Sequence, residues 1–256
     1  FRTPPPLSIG RIDLFTRTSH LPGLLFFHFL SLPLLIERQL LIDIYMEKEI
    51  IEQTIKSLER NHFEVYFAKN RQEAKNIFFK EIFEKIKPAT ISWGDSETMK
   101  ATGILSEIEQ HPECILIRTF QDGYSRAQKT YWRRQALHAD LFVSGTNALT
   151  RNGQLVNVDM VGNRVAGITF GPEHVVLFIG TNKITDNLEK AMERIRTIAA
   201  PLNAIRHPLL HTPCQKTQTC MNCQSADRLC NTWTITEKSF PQKRIKIILI
   251  NEPLGL

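Results

Sequence analysis

Four of the chain's five cysteines stand within one short segment, as Cys214-x5-Cys220-x2-Cys223-x6-Cys230. Four thiolates so close in sequence can hold a tetrahedral zinc or an iron–sulfur cluster, and the x2 step brings two sulfurs onto one turn. Two disulfides are the alternative, but those staple small secreted domains with a poor core. A chain of 256 residues buries a core unaided, so a metal or cluster loop over residues 212–232 is expected. Spacing does not separate iron from zinc, because four cysteines serve both. His211, three residues upstream, reads as a solvated loop histidine, since four cysteines already fill a tetrahedral shell. Cys114, in an apolar context, reads as a small buried hydrophobe.

Two polar stretches could bind a ligand. Ser92-Trp93-Gly94-Asp95-Ser96-Glu97-Thr98 runs from a strand through a small-residue turn into a helix. Such a turn exposes backbone N–H groups to a phosphate or carboxylate; equally, Asp95 or Ser96 could simply cap the helix. The second stretch is Ser144-Gly145-Thr146-Asn147, followed by Asn157-Val158-Asp159 and Gly162-Asn163-Arg164. Asn and Asp form turns, yet these sit at strand ends, where open α/β sheets place their ligands. Gly180-Thr181-Asn182-Lys183 marks a third such end. Together they outline a pocket for a small carboxylate or phosphate-bearing ligand. Arg164 and Lys183 could fix the anion, one as a planar fork and the other as a point charge. Asp159 could act as a base.

The elements that must position these residues alternate. Apolar residues at helical spacing mark 46–61, 71–86, 97–109, 125–137 and 186–199. Short β-patterned runs occur at 63–67, 88–93, 115–118, 140–144, 175–179 and 244–250. Asn152-Gly153 predicts a hairpin turn, flanked by extended segments at 155–158 and 164–170. Short strands alternating with helices imply an α/β fold, a mostly parallel sheet with helices on both faces. No dinucleotide-binding glycine fingerprint or P-loop is present.

Composition is that of an ordinary soluble globular protein, 42% hydrophobic and 23% charged. The formal charge of +6 is scattered rather than striped, so no nucleic-acid partner is expected. Residues 1–45 differ from the rest, with Pro4-Pro5-Pro6 and an apolar run broken by His28, Ser31 and Pro33. That run is too short and interrupted for a membrane span, and no small-residue cleavage site marks a signal peptide. The expectation is that residues 1–45 are a leader outside the fold, disordered or preceding a start at Met46. Residues 46–256 would then be the working domain.

Taken together, these stretches resemble the LUD family of lactate-utilisation proteins, whose fold is shared with sugar-phosphate isomerases and CoA transferases. Ala200-Pro201-Leu202-Asn203-Ala204 and Asn251-Glu252-Pro253-Leu254-Gly255 add to the match. The cysteine segment is similar to a C-terminal extension of one branch of that family. Gln218 stands where glycine is expected, and Met160 takes a place usually given to a small residue. The resemblance implies a cytoplasmic component of a 2-hydroxy-acid (lactate) oxidation system, working with redox partner subunits. It implies catalytic Asp159 and Lys183, and a ligand site of Gly94, Ser96, Thr98, Ser144, Asn147, Asn157, Asn163, Arg164 and Asn182. A 4Fe-4S cluster on Cys214, Cys220, Cys223 and Cys230 would pass electrons. The rival readings are an isomerase- or transferase-like enzyme with a structural zinc, and a non-catalytic small-anion-binding or scaffold subunit.

Overall fold

In the computed structural model the described residues are 25–256. Contacts separate a unit ending at Glu47 from a compact unit, Lys48–Leu256, which holds everything discussed below. The first 24 residues of the expected leader lie outside the described residues. The helix expected to open at Met46 instead spans Leu25–Arg60. Its part in the compact unit buries Ile51, Thr54 and Leu58, one stripe at helical spacing. No helix among the described residues is long and apolar enough to cross a membrane.

Six parallel strands form the main sheet: β1 (Glu64–Ala68), β2 (Thr90–Trp93), β3 (Ile115–Ile117), β4 (Leu141–Gly145), β7 (His174–Gly180) and β10 (Ile245–Ile250). Their order is β1-β10-β7-β4-β2-β3, so the last strand of the chain lies between the first and the seventh. Its central place explains why β10 is buried at every position. Alternate side chains point to opposite faces. Ile248 and Ile250 join one core cluster with Val176, Phe178, Phe78 and Ile82, while Ile245, Ile247 and Leu249 join another with Leu177, Ile179, Leu58 and Ile168. A strand covered on both faces is apolar over most of its length; the exception in β10 is Lys246, whose Nζ lies 3.4 Å from Glu64. Helices supply both covers, as the α/β reading requires.

A second sheet, in order β8-β5-β6-β9, contains β5 (Ala148–Thr150), β6 (Leu155–Asp159), β8 (Ile184–Thr185) and β9 (Thr232–Thr236). The expected hairpin is β5–β6, paired antiparallel, with Gly153 at φ 79° in its turn. β9 runs antiparallel to β6 and sets Thr232 opposite Asp159.

Two expectations about local structure are corrected. Residues 164–170, expected to be extended, fall on the helix Asn163–Thr169. Gly162, at φ 92°, turns the chain, and Asp159 Oδ2 accepts the N–H groups of Arg164 (3.0 Å) and Val165 (3.3 Å). Those two bonds satisfy donors that a helix start leaves orphaned. The helix expected over 97–109 is broken into Glu97–Ala101 and Ile104–Ile108, because Gly103 adopts φ 71° between them.

Candidate functional site

The carboxyl ends of β2, β4 and β7 lie side by side in the sheet, and the polar stretches follow directly from them. β2 leads to Asp95 and Ser96, β4 to Thr146 and Asn147, and β7 to the 3-10 turn Thr181–Lys183. At this edge the structure has a cleft of about 960 Å³. Ser96, Asn147, Asp159, Asn163, Arg164 and Lys183 line it. Seven cationic side chains (Lys100, Arg118, Lys129, Arg133, Arg164, Lys183 and Arg206) face four carboxylates (Asp95, Glu97, Glu109 and Asp159). Even with the Lys183 amine neutral, an excess of two positive charges remains, which suits an anionic ligand.

Arg164 has a different part from the ligand grip expected of it. Its Nη1 donates to Gly145 O (3.1 Å) and Asn157 Oδ1 (2.7 Å), and its Nη2 to Asn147 Oδ1 (2.7 Å) and Val158 O (2.8 Å). Both terminal nitrogens are therefore engaged with protein oxygens, and gripping a carboxylate would require breaking those bonds. The guanidinium ties β4, β6 and the loop between them into one wall. Burial pushes its pKa down from the usual arginine value, opposed by Asp159 and Asp95. Gly94 is required beside it: a Cβ there would stand 2.6 Å from Ser144 Oγ and 2.8 Å from Arg164 Cγ.

Lys183 is 4% exposed, and its Nζ donates to Thr146 O at 3.0 Å. Burial, and then the charges of Arg194 and Arg164, lower its pKa from 10.5 to about 7. Arg194 is itself fixed on Asn182 O, Asn147 O and Leu256 O. Asp159 spends Oδ2 on the helix start, and its Oδ1 lies 3.9 Å from Arg164 Nε.

Thr98, Ser144, Asn157 and Asn182, also expected to bind the ligand, are not among the residues that line the cleft. Thr98 Oγ1 donates to Leu254 O, and Asn182 Oδ1 accepts from Leu254 N, so both hold the 251–255 stretch. Asn157 Oδ1 accepts from Thr146 Oγ1, Asn147 N and Arg164. Its Nδ2 and the hydroxyl of Ser144 are buried and find no hydrogen-bond partner among the described residues. Ser96 caps the five-residue helix Glu97–Ala101 by accepting from Met99 N, which is the plain capping role, while also facing the cleft.

Sequence reading missed the network around Asp95. Arg206 bonds to both Asp95 and Glu97, and Lys100 pairs with Asp95 at 2.7 Å. Burial would raise the Asp95 pKa, but the hydrogen bonds from Arg206 and Lys100 outweigh it and hold it below the usual carboxylate value. Asp95 and Arg206 lie far apart in sequence, so no spacing could reveal the pair. Arg118, Lys129 and Arg133 form a further cationic side of the cleft and were likewise unmarked.

The cysteine segment borders this site. Leu229 and Met160 line the cleft, Asn231 N donates to Asp159 O (3.1 Å), and Asn231 Nδ2 donates to Met160 O (3.2 Å). All four loop cysteines are free and half-buried. Arg228 binds the carbonyls of Cys223 (2.6 Å) and Cys230 (3.1 Å), holding two of the four positions together. Burial raises the Cys230 thiol pKa; Arg228 opposes this, and the charges of Cys220 and Cys223 add to it. Among the described residues, no group of three or more His, Cys, Asp or Glu side chains stands in a metal-binding arrangement. Gln218 takes a left-handed conformation, φ 55°, at the end of the helix Pro213–Thr217, where glycine would sit without strain. His211 is exposed and faces Asp227 at 3.3 Å.

Comparison with known proteins gives a match to the LUD domain over residues 51–250. No curated protein matches the chain. Among solved structures, the crystal structure of a DUF162 family protein from Deinococcus radiodurans aligns with a TM-score of 0.47 at 10% identity, covering 80% of this chain and 98% of that one.

Proposed function

Because the chain belongs to the LUD-domain family, we propose that it is a lactate-utilisation-like protein that binds a small carboxylate in its cleft and serves a 2-hydroxy-acid oxidation system. The observation that supports this best is the cleft's lining, seven basic side chains to four carboxylates, at the strand ends where α/β sheets bind ligands. Lys183 supplies the inner amine. Asn147 and Asn163, which line the cleft, orient the anion. Arg164 keeps the walls in register. Asp159 Oδ1, free of the helix start, takes the proton of a bound 2-hydroxy acid.

The donor set of the cysteine segment fits a cluster: four thiols, none in a disulfide, with Arg228 joining two of their carbonyls. Cys214, Cys220, Cys223 and Cys230 would hold it. When bound, a 4Fe-4S cluster would pass single electrons to a redox partner subunit. Cluster uptake would have to draw the thiols together, so ordering of the segment is coupled to loading. Free thiols also suit the reducing cytoplasm.

The test is metal and acid-labile sulfide content of anaerobically purified protein, with calorimetric titration of lactate and pyruvate. Iron with equal sulfide, and saturable binding of either acid, support the proposal. One zinc with no sulfide would replace the cluster with a structural metal. Absence of binding by either acid would overturn the carboxylate cleft.

A further inference from the structure

Lys183 is placed unlike the other lysines of the cleft. Lys100 is paired with Asp95 and Glu97, whereas among the described residues no carboxylate forms an ion pair with Lys183. Lys183 lines the cleft, is almost wholly buried, and its Nζ donates to Thr146 O. Its charged neighbours are Arg164 and Arg194. Both guanidiniums are anchored on backbone oxygens, so neither can swing away. Arg164 has Asp159 Oδ1 at 3.9 Å, whereas an ammonium on Lys183 would be a further buried cation with no ion pair of its own, and the site is relieved when the amine is neutral. A desolvated lysine beside another cation is the arrangement that makes an amine nucleophilic near neutral pH, and a value of about 7 agrees with it.

We propose that Lys183 Nζ forms a protonated imine with a 2-oxo acid bound in the cleft. The inference rests on the small-carboxylate reading above and narrows it to one substrate class. A 2-oxo acid brings an electrophilic carbonyl carbon and, next to it, a carboxylate to balance the charge at Lys183, which among the described residues has no ion pair. A 2-hydroxy acid brings only the carboxylate, and inorganic phosphate only the charge. In the step, the Nζ lone pair forms a bond to the carbonyl carbon, and the carbonyl π electrons move to oxygen. The nitrogen loses a proton and the oxygen gains one, giving a neutral carbinolamine. A second proton from solvent lets the oxygen leave as water, and the nitrogen lone pair forms the C=N bond. One amine, one ketone and one proton thus give one iminium and one water, with no change in oxidation state. The acid's own carboxylate balances the new positive charge.

Full-length protein would be incubated with pyruvate and cyanoborohydride, which reduces the iminium to a stable secondary amine. Intact mass and peptide mapping then count and place the adduct, in parallel with Lys183→Met. One adduct per chain, mapped to Lys183 and lost in Lys183→Met, is expected. Labelling spread over exposed lysines, equal in both proteins, would overturn the proposal. Mapping on the wild-type chain decides the matter even if the variant fails to fold. Calorimetry on the same sample separates the two readings. Saturable pyruvate binding without trapping would overturn the imine and leave the carboxylate cleft, whereas neither binding nor trapping would overturn both.

Discussion

Replacing Lys183 with methionine should change how stability depends on pH, and the size of the change follows from the burial of one amine. The folded-state pKa of Lys183, about 7, lies below its ordinary value of 10.5. Between these values the unfolded chain binds a proton that the folded chain does not, so wild-type stability rises with pH across the window. Below about pH 7 both states carry the proton and the full penalty of burying the ammonium is present. Each pH unit within the window corresponds to about 1.4 kcal/mol, so from about pH 7 to about pH 9 the amine contributes a rise of about 3 kcal/mol. Lys183→Met removes this dependence. It also loses the bond to Thr146 O, a pH-independent cost of about 1–3 kcal/mol for an unmade buried bond. Tyr66 and Cys114, whose pKa values burial also raises, titrate alike in the two proteins and cancel in the difference. Urea unfolding followed by circular dichroism at a series of pH values gives that difference directly. It should move steadily toward the wild type as pH rises. A difference constant to within about 0.5 kcal/mol, against the 1.4 kcal/mol per unit expected, would refute a buried, neutralised lysine.

Arg164→Lys replaces a planar fork with a point donor and strands acceptors among Gly145 O, Asn147 Oδ1, Asn157 Oδ1 and Val158 O. It should lower unfolding free energy by about 3 kcal/mol or more, measured by urea titration; a loss below about 1 kcal/mol would contradict its bracing role. Gly94→Ala puts a methyl group against Ser144 Oγ and Arg164 Cγ and should cost about 1–3 kcal/mol by overpacking in the same assay. Gln218→Gly removes a left-handed non-glycine residue and should raise stability by up to about 1 kcal/mol, visible as a higher urea midpoint. Cys220→Ser should abolish the broad visible absorption of anaerobically reconstituted protein, while Cys114→Ser should retain it, because Cys114 is buried in the main core.

Much of the fold could be read from local pattern because the pattern is the physics. Residues 175–179 of β7 and 247–250 of β10 are apolar at successive positions because the sheet is covered on both faces, and Asn152-Gly153 names its own turn. The helix at 163–169 was missed because its start depends on Asp159, a side chain in the preceding strand. Its buried face includes Arg164 and Gly167, neither of which signals a core helix. The strand-end polar runs do meet along one edge of the sheet, since a parallel α/β arrangement brings those ends together. The roles within the cleft were less legible. Arginine in a polar loop reads as a ligand grip, but here its terminal nitrogens brace the wall. The pairing of Asp95 with Arg206 is made only by the folded chain and leaves no trace in spacing.

The central claim is that the cleft at the ends of β2, β4 and β7 binds a small carboxylate. Isothermal titration of pyruvate into the wild-type chain at neutral pH, with the same titration of an uncharged ketone such as acetone, tests it most directly. Saturable one-to-one binding of pyruvate is expected, weakened by added salt as the cleft's excess of basic side chains requires, with no measurable heat from the uncharged ketone. Equal response to both compounds, or none to pyruvate, would contradict it.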